Sequence, residues 1–420
     1  MPPGSVQAGR AAEVPEPLAQ AENLKLEAVS VATAVVAEYP ETAISYALLG
    51  SAHFNVGRSR EAAQDLQRCL ELDPRQVEAY EILARIACEK GELEEAVRRC
   101  EEGLKQGPGF PELLRRLGRA RLDLGDSAEA VRAFEQAVRL APQDSETHYL
   151  LGQACLQAGH PDRARHSFER AIALTPEHTQ AYFGLFTACS RLRLTEEAGR
   201  YRQRFLELEA ADRRTLTDRT TQEDTLSGLP MVRQTVARTL FGAGQIHQFH
   251  QRPEKAAPLF LRAAFLAPDN AAARTALEAL YLKQQQPEAA LEAFEKLAAD
   301  QPENALNHLF LGRLHNRLGR FSDAAQAYRK LQELAPDRPE GYQTLAELYL
   351  RTDREPVAAR AAAQKLVELQ PTAPNYYLLG FACVKNNDRS GAIAAMEQAV
   401  ALSPDNPGFR EFLQRLKSAP

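Results

Sequence analysis

Histidine, cysteine and paired carboxylates are the side chains from which a metal centre, a nucleophile or a general acid–base pair is built, and this chain has nine histidines and six cysteines. His247 and His250 lie three apart, a spacing that puts two imidazoles on one helix face as metal ligands require, yet no nearby cysteine or carboxylate completes a set. No Cys-x-x-Cys pair occurs, which removes the zinc ribbon and the simplest redox arrangement. Glu94-Glu95 and Glu101-Glu102 fall on stretches whose other face is apolar and read as solvated helix positions. Gly242-Ala-Gly244 lacks the third glycine and the preceding strand of a dinucleotide loop, and there is no GxxxxGK phosphate loop. No nucleophile, base and orienter come together in this reading. It therefore expects no catalytic residue, no metal and no cofactor, and not an enzyme.

The elements that would have to position such residues are set by a period. Prolines at 40, 74, 108, 142 and 176 are 34 residues apart, and the spacing resumes at Pro268, Pro302 and Pro336 before ending near Pro371 and Pro404. Self-similarity of this length means stacked copies of one small unit, none of which buries its apolar face alone. In the unit ending at Pro176, His148, Leu151, Gly152 and Cys155 share one helix face; Ala164, Phe168 and Ala171 share another, and Gly159 stands between. Each unit is helix, tight turn, helix, stop. This template absorbs most of the chemistry-bearing residues. His53, His148, His247, His308 and His315 fall at ring positions of the first helix, while Cys155, Cys189 and Cys383 share one position and read as buried thiols in a reducing compartment.

At these spacings the sequence resembles the tetratricopeptide repeat (TPR) family. Tyr46, Leu49, Gly50, His53, Ala62, Leu66, Cys69 and Pro74 fit one unit; His308, Leu311, Gly312, His315, Ala324, Tyr328, Leu331 and Pro336 fit another. The resemblance implies an all-α, right-handed superhelix of helix-turn-helix repeats. It also implies that the stacked first helices line a concave surface on which partner segments dock. The expected layout is a disordered segment over residues 1–15, an N-terminal half-repeat helix over 16–40, and five repeats over 41–210. An inserted linker or loop over 211–234, five more repeats over 235–404 and a capping helix over 405–420 complete it. The fifth repeat is degenerate: Gly184 is displaced, Arg202 stands where Phe is expected, and Ala210 replaces the closing proline.

Within such a surface the fifth position of the first helix brings Tyr149, Phe183 and Phe241 into succession, with Tyr377 at the same position near the far end. Aromatic side chains are enriched in binding hot spots. Arg115 and Arg119 lie to one side, beside acidic residues of the second unit, and Arg313 and Arg317 precede Glu340 and Glu347. Acid next to base is expected to be largely self-neutralising. The family's carboxylate-clamping Lys and Asn positions hold Ala47 and Ser51, then Glu81 and Arg85, so that specialised role is not expected.

The net charge of −5 without a basic run argues against nucleic acid. No run of about 18 apolar residues or leader pattern is seen, so the expected place is the cytoplasm. The excess of Arg over Lys and the absence of Trp are compatible with a bacterial source. The function expected is a non-catalytic scaffold that docks a peptide or protein segment, with self-association as a homo-oligomer the alternative.

Overall fold

The computed structural model describes residues 16–219 and 228–418, and every regular element among them is an α-helix. The expectation of disorder over residues 1–15 falls outside the described residues. The chain divides into two compact units, Met1–Gln251 and Arg252–Pro420.

The first unit contains α1 (Glu16–Glu38), α2 (Ala43–Asn55), α3 (Ser59–Leu72), α4 (Val77–Glu89), α5 (Leu93–Gln106) and α6 (Pro111–Asp123). It continues with α7 (Ser127–Leu140), α8 (Ser145–Gln157), α9 (Pro161–Leu174), α10 (Thr179–Arg191), α11 (Thr195–Arg219) and α12 (Gly228–Phe249). The second unit contains α13 (Pro253–Leu266), α14 (Ala271–Lys283), α15 (Pro287–Asp300), α16 (Ala305–Arg317) and α17 (Phe321–Leu334). It ends with α18 (Pro339–Thr352), α19 (Pro356–Leu369), α20 (Ala373–Lys385), α21 (Arg389–Leu402) and α22 (Pro407–Ser418).

Helix pairs are joined through a left-handed residue, and the turn between α18 and α19 has two, Asp353 and Glu355. Gly159 has φ 80°, and the next amide, of His160, donates back to the carbonyl of Cys155 at 2.8 Å. That closes the first helix and aims the chain into the second. The fifth repeat makes the same turn without glycine: Arg193 takes φ 61° and the Leu194 amide bonds to Cys189.

Packing between pairs turns on one ring. Phe168 of α9 is fully buried, and a methyl group at either Gly152 or Gly184 would lie 2.5 Å from it. The displaced Gly184 therefore serves the preceding repeat: its missing side chain admits Phe168 from the other side. The degenerate fifth repeat fills its own interior with Tyr201, packed 6.3 Å from Tyr182, while Arg202 points to solvent.

The ring position of the first helix carries a second task. His148 Nε2 lies 3.1 Å from the carbonyl oxygen of Pro142 and His308 Nε2 2.9 Å from that of Pro302; the Tyr182 hydroxyl donates to that of Pro176 at 3.2 Å. A carbonyl only accepts, so Nε2 carries the proton in both histidines. Arg274 stands at the same position, fully buried. It donates from Nε to Asn307 Oδ1 at 2.8 Å and from Nη1 to the Asn270 carbonyl at 3.1 Å, and burial pushes its pKa down to about 10.

The span expected as an inserted loop, 211–234, is helical at both ends. With Ala210 in place of a proline nothing stops α11, which runs on to Arg219. Pro230 sits in the first turn of α12, where its missing N–H is no loss. Residues 220–227 lie outside the described residues. α12 then packs on α1 and α2: Arg233 reaches Gln20, and the Tyr39 hydroxyl meets His247 Nδ1 at 3.0 Å. In α1, Leu24, Ala28 and Val35, which share a helix face with Val31, are buried, while Val31 is half-buried.

Candidate docking surfaces

The histidine pair that sequence spacing singled out is turned to Tyr39. His250 stacks on the Tyr39 ring at 4.0 Å and its Nε2 lies 3.4 Å from Thr42 Oγ1, while His247 bonds the Tyr39 hydroxyl. Among the described residues no group of three His, Cys, Asp or Glu side chains is placed to hold a metal ion. The thiols are packing groups: burial pushes Cys69 and Cys100 up to about 12, far from a reactive thiolate.

In the first unit Tyr149 of α8 and Phe183 of α10 come together. The Tyr149 ring lies 4.7 Å from His178 and 6.0 Å from Phe168, and its hydroxyl accepts from Gln153 Nε2 at 2.6 Å. Burial raises its pKa. Phe183 is 50% exposed and sits 5.3 Å from Phe205 of α11. With Leu156 these rings line a groove of about 330 Å³ whose polar wall is Gln153, Gln180 and Thr187, all uncharged. Phe205 was missed in the sequence. It is a large ring where the repeat template asks for a small residue such as Ala171 or Ala263. Phe241, expected as the third ring, is carried by α12, which is seated on α1 and α2, and the groove is lined without it.

The arginines beside this groove are engaged. Arg115 pairs with Asp144 at 3.1 Å, Arg119 with Asp123 at 3.4 Å, and Arg116 Nε donates to Glu81 at 2.8 Å. All three are matched by acids, but only Arg116 meets one of the second repeat; Arg115 turns forward to Asp144 and Arg119 stays on its own helix.

The second unit has a larger groove, about 770 Å³, formed by α16, α18 and α20. Here the pairing differs from the expected one. Arg313 reaches neither Glu340 nor Glu347; it pairs at 3.1 Å with Glu278 of α14 and lies over the Phe310 ring at 5.1 Å. Glu278 occupies the position that is glycine in Gly152 and Gly312, and it is buried. Burial raises its pKa, a shift held back by the positive charges of Arg313 and Arg317. Arg317 is exposed. Tyr377, the remaining ring expected in the docking surface, packs 5.4 Å from Phe409 and 5.6 Å from Phe412 of α22 and keeps one edge in solvent.

Stacked helix pairs, three of them stapled to the preceding proline loop by a side chain of the first helix, define a helical-repeat protein. Models of the tetratricopeptide repeat match residues 47–111, 121–185, 280–339 and 373–406, together just over half of the chain; it belongs to the tetratricopeptide repeat family. Among solved structures, a crystal structure of MamA is 23% identical, covering 40% of this chain and 97% of that one with a TM-score of 0.38. MamA 41-end from Desulfovibrio magneticus RS-1 is 22% identical over 40% of this chain and 96% of that one, TM-score 0.38. YrrB, a TPR protein with an unusual peptide-binding site, is 20% identical over 58% of this chain and 96% of its own, TM-score 0.34. No curated protein sequence matches. Among the described residues no helix is long and apolar enough to cross a membrane.

Proposed function

We propose that this chain is a non-catalytic scaffold that docks peptide or protein segments on the exposed faces of its first helices, with the aromatic groove of the first unit as one seat. The observation that carries this reading is the half-exposed Phe183 beside Tyr149 and Phe205, over an apolar groove of about 330 Å³. A large ring left in water beside an unfilled apolar recess is favourable to cover: burial returns about 25 cal/mol per Å² of apolar area, before the cost of ordering the partner. The walls carry no charge, so the segment that fits presents a large apolar side chain. The buried thiols, Arg274 and Glu278, whose pKa values are shifted chiefly by burial, have packing explanations, which supports a scaffold over a catalyst.

A display library of random peptides selected on the immobilised full chain tests this. Enriched peptides are expected to carry a Leu, Phe or Met and to lose about tenfold in affinity for Phe183→Ser. Selection of nothing, or binders indifferent to Phe183→Ser, would refute the aromatic seat.

Self-association is the second reading, favoured by Leu206, 49% exposed on α11 near the same groove. A light-scattering mass of one chain across the micromolar range would remove it.

A further inference from the structure

The groove of the second unit has a different chemistry, and it is legible in which of its charges are already matched. Glu340, Thr344, Glu347 and Arg351 follow one face of α18, four and three residues apart in turn, and line the groove opposite Leu309 and Phe381. The two guanidinium groups are held. Arg313 is paired with Glu278 from α14. Arg351 donates to Asn316 Oδ1 and lies 5.6 Å from the centre of the Phe321 ring. The two acids are not held in the same way. Glu347 accepts from the Gln343 amide at 2.9 Å, a neutral donor, and among the described residues neither Glu340 nor Glu347 has an ion-pair partner. The groove is lined by two carboxylates and two guanidinium groups, but Arg313 is already matched by Glu278 beside it, so Glu340 and Glu347 face one guanidinium, Arg351, that no acid pairs among the described residues.

Their spacing says more. Seven residues of helix separate Glu340 from Glu347 by about 10.5 Å along the axis. A polyproline-II-like strand brings every third side chain to one side at a rise of about 9.3 Å. Its intervening side chains turn away from that side, toward the walls. Here those walls are Leu309, Leu378 and Phe381, the last 36% exposed.

We propose that this groove docks an extended segment carrying two basic residues three apart, with apolar residues between them. The basic groups pair with Glu340 and Glu347, and the apolar side chains cover Leu309, Leu378 and Phe381. The proposal rests on the reading that first-helix faces are docking surfaces, and it assigns the second unit a partner chemistry opposite in character to the uncharged seat of the first.

The test is fluorescence anisotropy of the full chain with a labelled, end-blocked Gly-Lys-Leu-Phe-Lys-Gly peptide, against the same peptide with Glu for both Lys. The basic peptide is expected to bind saturably and to weaken about three- to tenfold in the Glu340→Gln, Glu347→Gln double variant and on raising salt. Binding should be unchanged in Phe183→Ser. Both acids are exposed and the changes isosteric, so an unaltered helical circular dichroism melt confirms that the double variant is folded. Equal or tighter binding of the acidic peptide would overturn the basic chemistry while leaving docking on these helices standing. Loss of binding in Phe183→Ser would place the peptide in the first unit and overturn the assignment of this groove. Absence of saturable binding by either peptide would overturn the second-unit seat altogether, leaving the aromatic one to its own test.

Discussion

Replacing Gly184 by alanine is expected to destabilise the first unit, although alanine is the better helix former. A methyl group there would lie 2.5 Å from Cζ of Phe168 and 2.7 Å from both Cε atoms. Ordinary carbon contacts are about 3.5 to 4.0 Å, so the ring would have to yield by about 1 Å. It has nowhere to go. Phe168 is wholly buried, and Gly152 touches it from the other side as closely. Overfilling a packed core costs about 1–3 kcal/mol, and with both sides blocked the upper half of that range applies. Exchange of glycine for alanine within a helix returns about 1 kcal/mol, leaving a net loss of about 1–2 kcal/mol. Gly199 is the control. It lies in α11 with no neighbouring atom within 4 Å, so Gly199→Ala should stabilise by about 1 kcal/mol. Urea unfolding followed by circular dichroism measures both, and amide hydrogen exchange in α8 to α10 localises the first. In a Phe168→Leu background the penalty of Gly184→Ala should shrink below about 0.5 kcal/mol, because the obstructing ring is gone. If Gly184→Ala raises stability as Gly199→Ala does, the two-sided clamp on Phe168 is wrong.

Two more expectations follow from groups with a stated partner. His148→Phe keeps a ring at the position but leaves the Pro142 carbonyl without its donor, and should lower stability by about 1 kcal/mol; an unchanged thermal melt would mean that water replaces the bond. Glu278 has a folded-state pKa raised chiefly by burial, so the native chain binds its proton more tightly than the unfolded one. Its contribution is therefore fully present below the unfolded pKa and lost as pH climbs through the raised value. Glu278→Gln lacks that slope, so its stability relative to the natural chain should rise as pH is raised from about 4.5 and then level off. A difference independent of pH, measured by urea midpoints across that window, would show that the carboxylate is solvated.

The repeat, its turns and its helices were readable because each depends on a residue whose effect is local. The proline that closes a repeat stands where the second helix has ended, although Pro258 is carried inside α13, and Gly159 supplies its turn without help from neighbours. What escaped reading depends on partners far along the chain. Gly184 looked out of place because its purpose is fixed by Phe168, sixteen residues earlier in the preceding repeat. The stretch after 210 read as a loop because Thr, Asp and Arg suggest one, yet the decisive fact was the missing proline. Phe205 was passed over as a departure from a small-residue position, and it became a wall of the groove. The charge pairing was half legible: Arg116 found an acid one repeat back, Glu81, whereas Arg115 and Arg119 turned to Asp144 and Asp123. Arg313 also reached one repeat back, to a glutamate standing where glycine is usual, and so left Glu340 and Glu347 without it as an ion-pair partner. At His148, Tyr182 and His308 the ring position supplies a partner for the carbonyl of the preceding proline, a role that size and apolarity do not reveal.

The seating of α12 on α1 bears on how the first unit comes apart and how it forms. Arrays of stacked repeats ordinarily hold only neighbour to neighbour, so their terminal copies open independently and folding spreads outward from any point. In this unit Tyr39 and His247 are in contact across 208 positions of sequence. The opening helix is therefore tied to the closing one, and fraying at the start of the unit requires releasing its end. Exchange protection should be high in α1, unusual for a leading helix, and the last step of folding should be the slow meeting of two distant segments, whose entropy of closure is met only after the intervening repeats have drawn the ends together.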